Sequence, residues 1–216
     1  VARLAGLRFV RTPAQADLGF FFDDATCSAP PDAPGLIVMN GACRDVSKSH
    51  VARVFERVSG RALLVDPESF HGPMAVKAET NGAHDGRVVQ GPCPRQPGLV
   101  YQRLIDTVVE DGLVEDLRCP TVNGDIPVVF VKRRPCDTRF ANVNSTVIKR
   151  APQDVLTPTE RDLIKRFCAA MALDWGGVDV LRDRRDGLIW IVDVNKTDMG
   201  PPTALPLADK LAAART

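Results

Sequence analysis

The 216-residue sequence predicts an α+β fold, and three observations carry that expectation. Segments 45–60 and 157–173 place apolar residues at the spacing of an amphipathic helix, with capping residues at their ends. Several shorter runs, such as "PMAVKAE" and "DIPVVFVKRRP", are rich in strand-forming residues and bounded by Gly, Asn or Pro. Finally, 175–195 reads as two strands joined by the turn "RDG". The length fits one large domain or two small ones, and 44% hydrophobic content is enough for a buried core.

Taken in order, 1–44 holds two short apolar runs, "LGFFF" and "GLIVMN", separated by a loop containing Pro30, Pro31 and Pro34. They read as strands of a small α/β unit. In "DVSKSHVARVFERVSG" Val51, Val54, Phe55 and Val58 share one helical face, Asp45 or Ser47 caps the start, and Gly60 ends it. From Pro73 the period changes. "PMAVKAE", the polar loop "TNGAHDG" and "RVVQG" form a hairpin, and "GLVYQRLID" and "DIPVVFVKRRP" are further strands. In "TPTERDLIKRFCAAMAL" Thr157 is the N-cap, Pro158 opens the helix, and Glu160 completes a capping box, with Leu163, Ile164, Phe167 and Met171 on the apolar face.

Composition narrows the function classes. Lys and Arg total 28 against 27 Asp and Glu, so a net charge of +1 provides no general attraction to nucleic acid or anionic lipid. No apolar run approaches a membrane span, and the interrupted opening "VARLAGLRFV" is too short for a signal peptide. The six cysteines form no C-x-x-C pair and have no ligand-like spacing to the three histidines. They read as reduced thiols of a cytoplasmic protein.

The chemistry concentrates in "IVDVN". Asp193 and Asn195 lie two apart on a strand, so both side chains leave the same face. A three-residue turn with Gly187 in the left-handed position pairs Arg184 with Leu188 and sets Asp179 opposite Asp193. Facing carboxylates repel unless a cation lies between them, and three hard oxygens suit Mg²⁺ with water or phosphate oxygens completing its shell. The alternative is a solvated face on which Asp179 and Asp193 pair with Arg182, Arg184 or Lys196.

These residues resemble the metal-binding end of ATP-grasp enzymes: "VDVLRDRRDGLIWIVDVNKTDMGPP" is similar to that element in RimK-type and D-alanine:D-alanine ligases. The likeness runs upstream in order over about 45–202. Lys48 matches the lysine at the entry to the ATP-grasp region, and Lys77 the strand lysine followed by a glycine loop. "VYQRLID" resembles the adenine-gripping linker, and "KRRPCDTRFANVN" the basic segment that contributes Arg139 and Asn142. The resemblance implies an ATP-grasp fold in which two α+β subdomains, 45–106 and 107–216, clamp the nucleotide behind a reduced N-terminal segment, 1–44. It implies a nucleotide site of Lys48, Lys77, Glu79, Asn81, Gly82, His84, Gly86, Gln102, Arg103 and Leu104. Asp179, Asp193 and Asn195 would hold Mg²⁺, and Arg134, Arg139 and Asn142 would serve catalysis. The implied activity is ATP- and Mg²⁺-dependent joining of a small-molecule carboxylate to an amine through an acyl phosphate, with no nucleic-acid or membrane partner and homo-oligomerisation left open.

The residues keep other readings in play. Lys77 also suits a protected strand edge, Lys48 a solvated helix turn, His84 an ordinary loop, and Lys132–Arg133–Arg134 a surface patch. Trp175 and Trp190 read as packing residues. The sequence departs from the family pattern where Asp193 replaces the usual glutamate. It departs again at Gly177, where D-alanine:D-alanine ligase carries an arginine. An ATP-dependent phosphotransferase or a nucleotide-binding module without turnover would share the same nucleotide half.

Overall fold

The computed structural model describes residues 6–141, 143–198 and 200–213. Strands β1 (Gly19–Phe20) and β2 (Val38–Met39) pair in parallel, and helix α1 (Lys48–Ser59) follows. Next, β3 (Gly72–Ala78), β4 (Arg87–Gly91) and β5 (Leu99–Arg103) form an antiparallel sheet in the order β4-β3-β5. The rest of the chain supplies β6 (Leu113–Val122), β7 (Val129–Pro135), β8 (Thr146–Arg150), α2 (Pro152–Val155), α3 (Pro158–Met171), β9 (Trp175–Arg182), β10 (Ile189–Asn195) and α4 (Leu207–Ala213). The strands among these form a five-stranded antiparallel sheet in the order β10-β9-β6-β7-β8.

Both long helices begin and end as their sequences dictate. Ser47 accepts from the His50 N–H, and Gly60 closes α1 in the left-handed conformation. Thr157 and Glu160 exchange both bonds of the capping box. Leu163, Ile164, Phe167 and Met171 bury against the sheet face carrying Leu117, Cys119, Val129, Val131, Val178 and Val180. Helix α1 packs on α3 and β10 within the same core, although the expected boundaries grouped it with 45–106. The smaller sheet has its own core of Met74, Val76 and Tyr101.

Strand expectations fail in specific places. The runs at 18–22 and 35–40 shrink to two residues each, and 125–135 becomes Val129–Pro135. β6 and β8 have no counterpart among the expected strands. β6 turns into β7 at Asn123-Gly124, where both residues have positive φ and Val122 and Asp125 exchange backbone bonds, as a type I′ hairpin requires. Its alternation is hidden because Glu115 and Thr121 share the face of Leu117 and Cys119, while Val114 and Val122 share that of Asp116 and Arg118. Pro120 is tolerated because pairing with β7 ends at Arg118, leaving β9 as its neighbour.

The N-terminal segment is tied to the large sheet by Asn40. Its side chain accepts from the backbone N–H groups of Asp174 and Trp175 and donates to the Trp175 carbonyl at 2.7 Å. All six cysteines are free thiols, and among the described residues no helix is long and apolar enough to cross a membrane.

Candidate functional site

The face of the large sheet opposite α3 is covered by Leu205 and Ala213 at Phe130 and Val147 and open at Asp179 and Asp193, and strand pairing sets its residues in rows. Asp193, Asp179, Arg118, Phe130 and Lys149 are successive partners across β10, β9, β6, β7 and β8. Asp116 and Lys132 are partners one row away, and Val114 and Arg134 one row further.

The Asp179–Asp193 pairing arises by an unexpected route. The turn is one residue off the expected register: Arg182 pairs with Ile189, and the Asp183 N–H donates to the Leu188 carbonyl. Left uncorrected, that register would put Asp193 opposite Val178, on the buried face. A bulge between Ile191 and Asp193 inserts one residue and returns Asp193 to the open face beside Asp179.

Asp179 is held by two cations, with Lys132 Nζ at 3.2 Å and Arg118 Nη1 at 3.1 Å. Burial opposes its charge, but these cations more than compensate and hold its carboxyl well below the usual range. Asp193 has no such contact. Burial and the facing Asp179 push its carboxyl up, against the pull of Lys48 and Lys77. Burial likewise raises Asp116, although Lys132 lies 3.4 Å and Arg134 2.6 Å from its oxygens. Burial lowers the Lys77 ammonium. Arg118 reaches past Asp179 to Asp198, 3.4 Å away, and its guanidinium fills the space above Gly177. A Cβ at 177 would stand 2.4 Å from Arg118 Cζ, so the glycine is what admits this arginine.

Across from this face stand β3, β5 and the loop 80–86, bounding a cleft of about 200 Å³ that opens to solvent. Of the expected residues, Lys48, Lys77, Gly82, His84, Gly86, Gln102, Arg103, Leu104, Arg134, Arg139, Asp179 and Asp193 line it. Gln102 is 1% exposed and lines the cleft, and its Nε2 has no protein acceptor, so a buried donor is left for a ligand. Lys48 Nζ donates to the Thr80 carbonyl at 3.0 Å, fixing the root of the glycine loop. Phe140 packs over Gly86, and its ring lies 5.9 Å from Lys77 Nζ.

Glu79, Asn81 and Asn195 are not among the residues lining the cleft. The Glu79 carboxylate is held by the N–H and hydroxyl of Ser49 at the start of α1. The Asn81 N–H donates to Thr26 Oγ1 at 2.9 Å. Asn195 Oδ1 accepts from the N–H and hydroxyl of Thr197, both at 2.9 Å. Asn142 lies outside the described residues. Arg134 is built into the wall: it donates to Asp116, Asn144 and the Arg139 carbonyl, and so anchors the segment bearing Arg139 and Phe140. Sequence reasoning missed Asp116, Arg118 and Asn144. Asp116 and Arg118 repeat the two-residue spacing that made Asp193 and Asn195 visible.

Among the described residues no group of three His, Cys, Asp or Glu could hold a metal. The facing pair Asp179 and Asp193 still fits one hard dication with phosphate oxygens completing its shell, because Asp193 is a half-buried carboxylate on the cleft wall without a direct cation partner. The surrounding Lys48, Lys77, Lys132 and Arg118 fit a polyanion.

No protein-family model matches the chain. It is 28% identical over 170 residues to the ribosomal protein bS6–L-glutamate ligase of Escherichia coli O81 (strain ED1a), covering 76% of this chain and 54% of that protein. It is also 28% identical over 152 residues to the ligase of the same name in Shigella boydii serotype 18, covering 69% and 48%. The chain thus spans about half the length of the curated relatives it matches. Among solved structures, the ATP-grasp ligase PsnB complexed with a precursor peptide and AMPPNP superposes with a TM-score of 0.54 at 17% identity, covering 76% of this chain and 54% of that one. PsnB complexed with a minimal precursor, Mg and ADP gives the same TM-score at 16% identity. With the strand order, the cleft and these likenesses in agreement, the chain has the ATP-grasp fold.

Proposed function

We propose that the chain is the nucleotide-binding part of an ATP- and Mg²⁺-dependent ligase that joins a carboxylate to an amine through an acyl phosphate. The observation that carries this reading is the bulge at 191–193, a strand irregularity that sets two carboxylates face to face among buried cations. Such a device weakens a fold and is intelligible as a phosphate and metal site. The bS6–L-glutamate ligase relatives and the PsnB structures support the same chemistry.

Within this reading, Gln102 and the backbone at 103–104 hold the base, and Lys77, Lys48 and the loop 80–86 receive the phosphates. Phe140 must move off Gly86 as the loop closes on them. Asp179 and Asp193 would hold the metal, which when bound would supply positive charge to phosphate oxygens. Lys132 and Arg118 keep Asp179 ionised and stand beside the reacting phosphate, where their fixed charges stabilise the transition state. Arg139 faces the carboxylate substrate. The free thiols accord with a cytoplasmic setting.

Release of ADP and phosphate from MgATP that requires both a carboxylate and an amine, with an amide formed in equal amount, tests the proposal. A stable phosphorylated product with ADP would replace the ligase by a phosphotransferase. Binding of MgATP without turnover across a broad set of acids and amines would leave a binding module.

A further inference from the structure

The chain segment that follows β5, 103–106, is fastened to the same hairpin that bears Asp179 and Asp193. In the turn between β9 and β10, the Arg184 N–H donates to the Asp106 carbonyl at 2.8 Å, and Arg185 Nη2 donates to the Leu104 carbonyl at 3.2 Å. On β10, the Trp190 ring carries the Arg103 guanidinium, whose Cζ lies 5.4 Å from the ring centroid. Residues 103, 104 and 106 are thus held by one hairpin. Between the two held carbonyls, the Ile105 N–H has no protein acceptor among the described residues, and Ile105 lines the cleft.

Arg185 is itself braced. Asp183, 7% exposed, accepts from the Arg185 N–H at 3.0 Å and from its Nε at 3.3 Å, which fixes the guanidinium beside the Leu104 carbonyl. Holding an exposed arginine in one geometry costs side-chain entropy, and here a buried carboxylate offsets part of that cost. Along the strand, Asp183 lies four residues beyond Asp179, about 13 Å at about 3.3 Å per residue. That is roughly the separation of base and terminal phosphate in an extended nucleotide.

We infer that Arg185 is a positioning residue for the nucleotide: by holding the Leu104 carbonyl it sets the base-binding linker at a fixed distance from Asp179 and Asp193, so that base and phosphates engage together. The inference rests on the nucleotide site proposed above and adds to it a residue that does not line the cleft. Arg185 acts only through the linker. Its removal therefore costs affinity for a ligand that carries a base and spares one that offers phosphates alone.

Calorimetry of MgATP and of magnesium tripolyphosphate, titrated into the full chain and its Arg185→Ala variant, tests this. The side chain is exposed on a turn, so the variant keeps the fold. MgATP should bind about three- to tenfold more weakly to Arg185→Ala, the range of one hydrogen bond, while tripolyphosphate stays within about twofold. Arg185→Lys keeps the charge but lacks the Nε that Asp183 holds, and should recover only part of the loss. Unchanged MgATP affinity in Arg185→Ala, an equal loss for both ligands, or full recovery in Arg185→Lys overturns the inference, the last two because they would assign the effect to charge alone. The same titrations keep the two claims separate. A parent chain that binds ATP no more tightly than tripolyphosphate strikes the base site itself, whereas a clear preference for ATP that survives Arg185→Ala strikes only the role of Arg185.

Discussion

Replacing Asp193 by Asn should make the chain more stable without ligand and less responsive to MgATP. Asp193 and Asp179 are register partners on one face, so their charges lie about 5 Å apart. At an effective dielectric of about 20 their repulsion is about 3 kcal/mol. Lys48 and Lys77 near Asp193, and Lys132 and Arg118 on Asp179, offset most of this, and each 1 kcal/mol that remains corresponds to about 2–4 °C in Tm for a chain of this size. The pH dependence has a definite sign. Because the Asp193 carboxyl is pushed up, the folded chain keeps a proton that the unfolded chain has already released, and stability falls as pH rises through that interval. The Asp193→Asn substitution removes the effect, so the advantage of the variant should be absent in strong acid and complete at neutral pH. Thermal melts of both proteins across pH, with and without MgATP, measure this. An Asp193→Asn protein that melts lower than the parent at neutral pH while keeping the full MgATP-induced shift would refute the repulsion and the metal role together.

Three further outcomes follow from the same geometry. Lys77→Ala should weaken nucleotide binding by about 1.5–3 kcal/mol, the range for a charge-assisted contact, and unchanged affinity by calorimetry would remove Lys77 from the site. Amides of 80–86 should exchange hydrogen more slowly once MgATP is bound, since the loop is rooted by Lys48 but has Gly82 and Gly86 within it; equal exchange in both states would show that it takes no part. Gly177→Ala places a methyl within 2.4–2.5 Å of the Arg118 guanidinium and Asp198, so it should cost about 1–3 kcal/mol by urea unfolding, and a neutral effect would mean that Arg118 is not seated there.

What the sequence could reveal depended on how local the signal was. Helices α1 and α3 were legible to their caps, because Ser47, Gly60, Thr157 and Glu160 act within one turn. Asp179 opposite Asp193 was also legible, although the expected turn was one residue out and the bulge restored the pair. A bulge is fixed by packing on both sides of a strand and leaves no mark in the spacing of a single strand. β6 was hidden for a different reason: Glu115 and Thr121 fall on the face of Leu117 and Cys119, and Val114 and Val122 on the face of Asp116 and Arg118, which breaks the alternation that identifies a strand. Glu79 and Asn195 illustrate the converse. Both sit in the expected motif, but nearby N–H and hydroxyl groups of Ser49 and Thr197 satisfy their oxygens, a competition that a linear pattern does not register. Arg134 was expected as a catalytic group, and three partners make it part of the wall.

The central claim is that the bulged strand aims Asp193 at a metal shared with nucleotide phosphate. Calorimetric titration of ATP, with and without Mg²⁺, into the parent chain and Asp193→Asn tests it most directly. Mg²⁺ should tighten ATP binding in the parent by about tenfold or more, and the variant should bind ATP with little or no gain from the metal. An equal gain from Mg²⁺ in both proteins would contradict the claim.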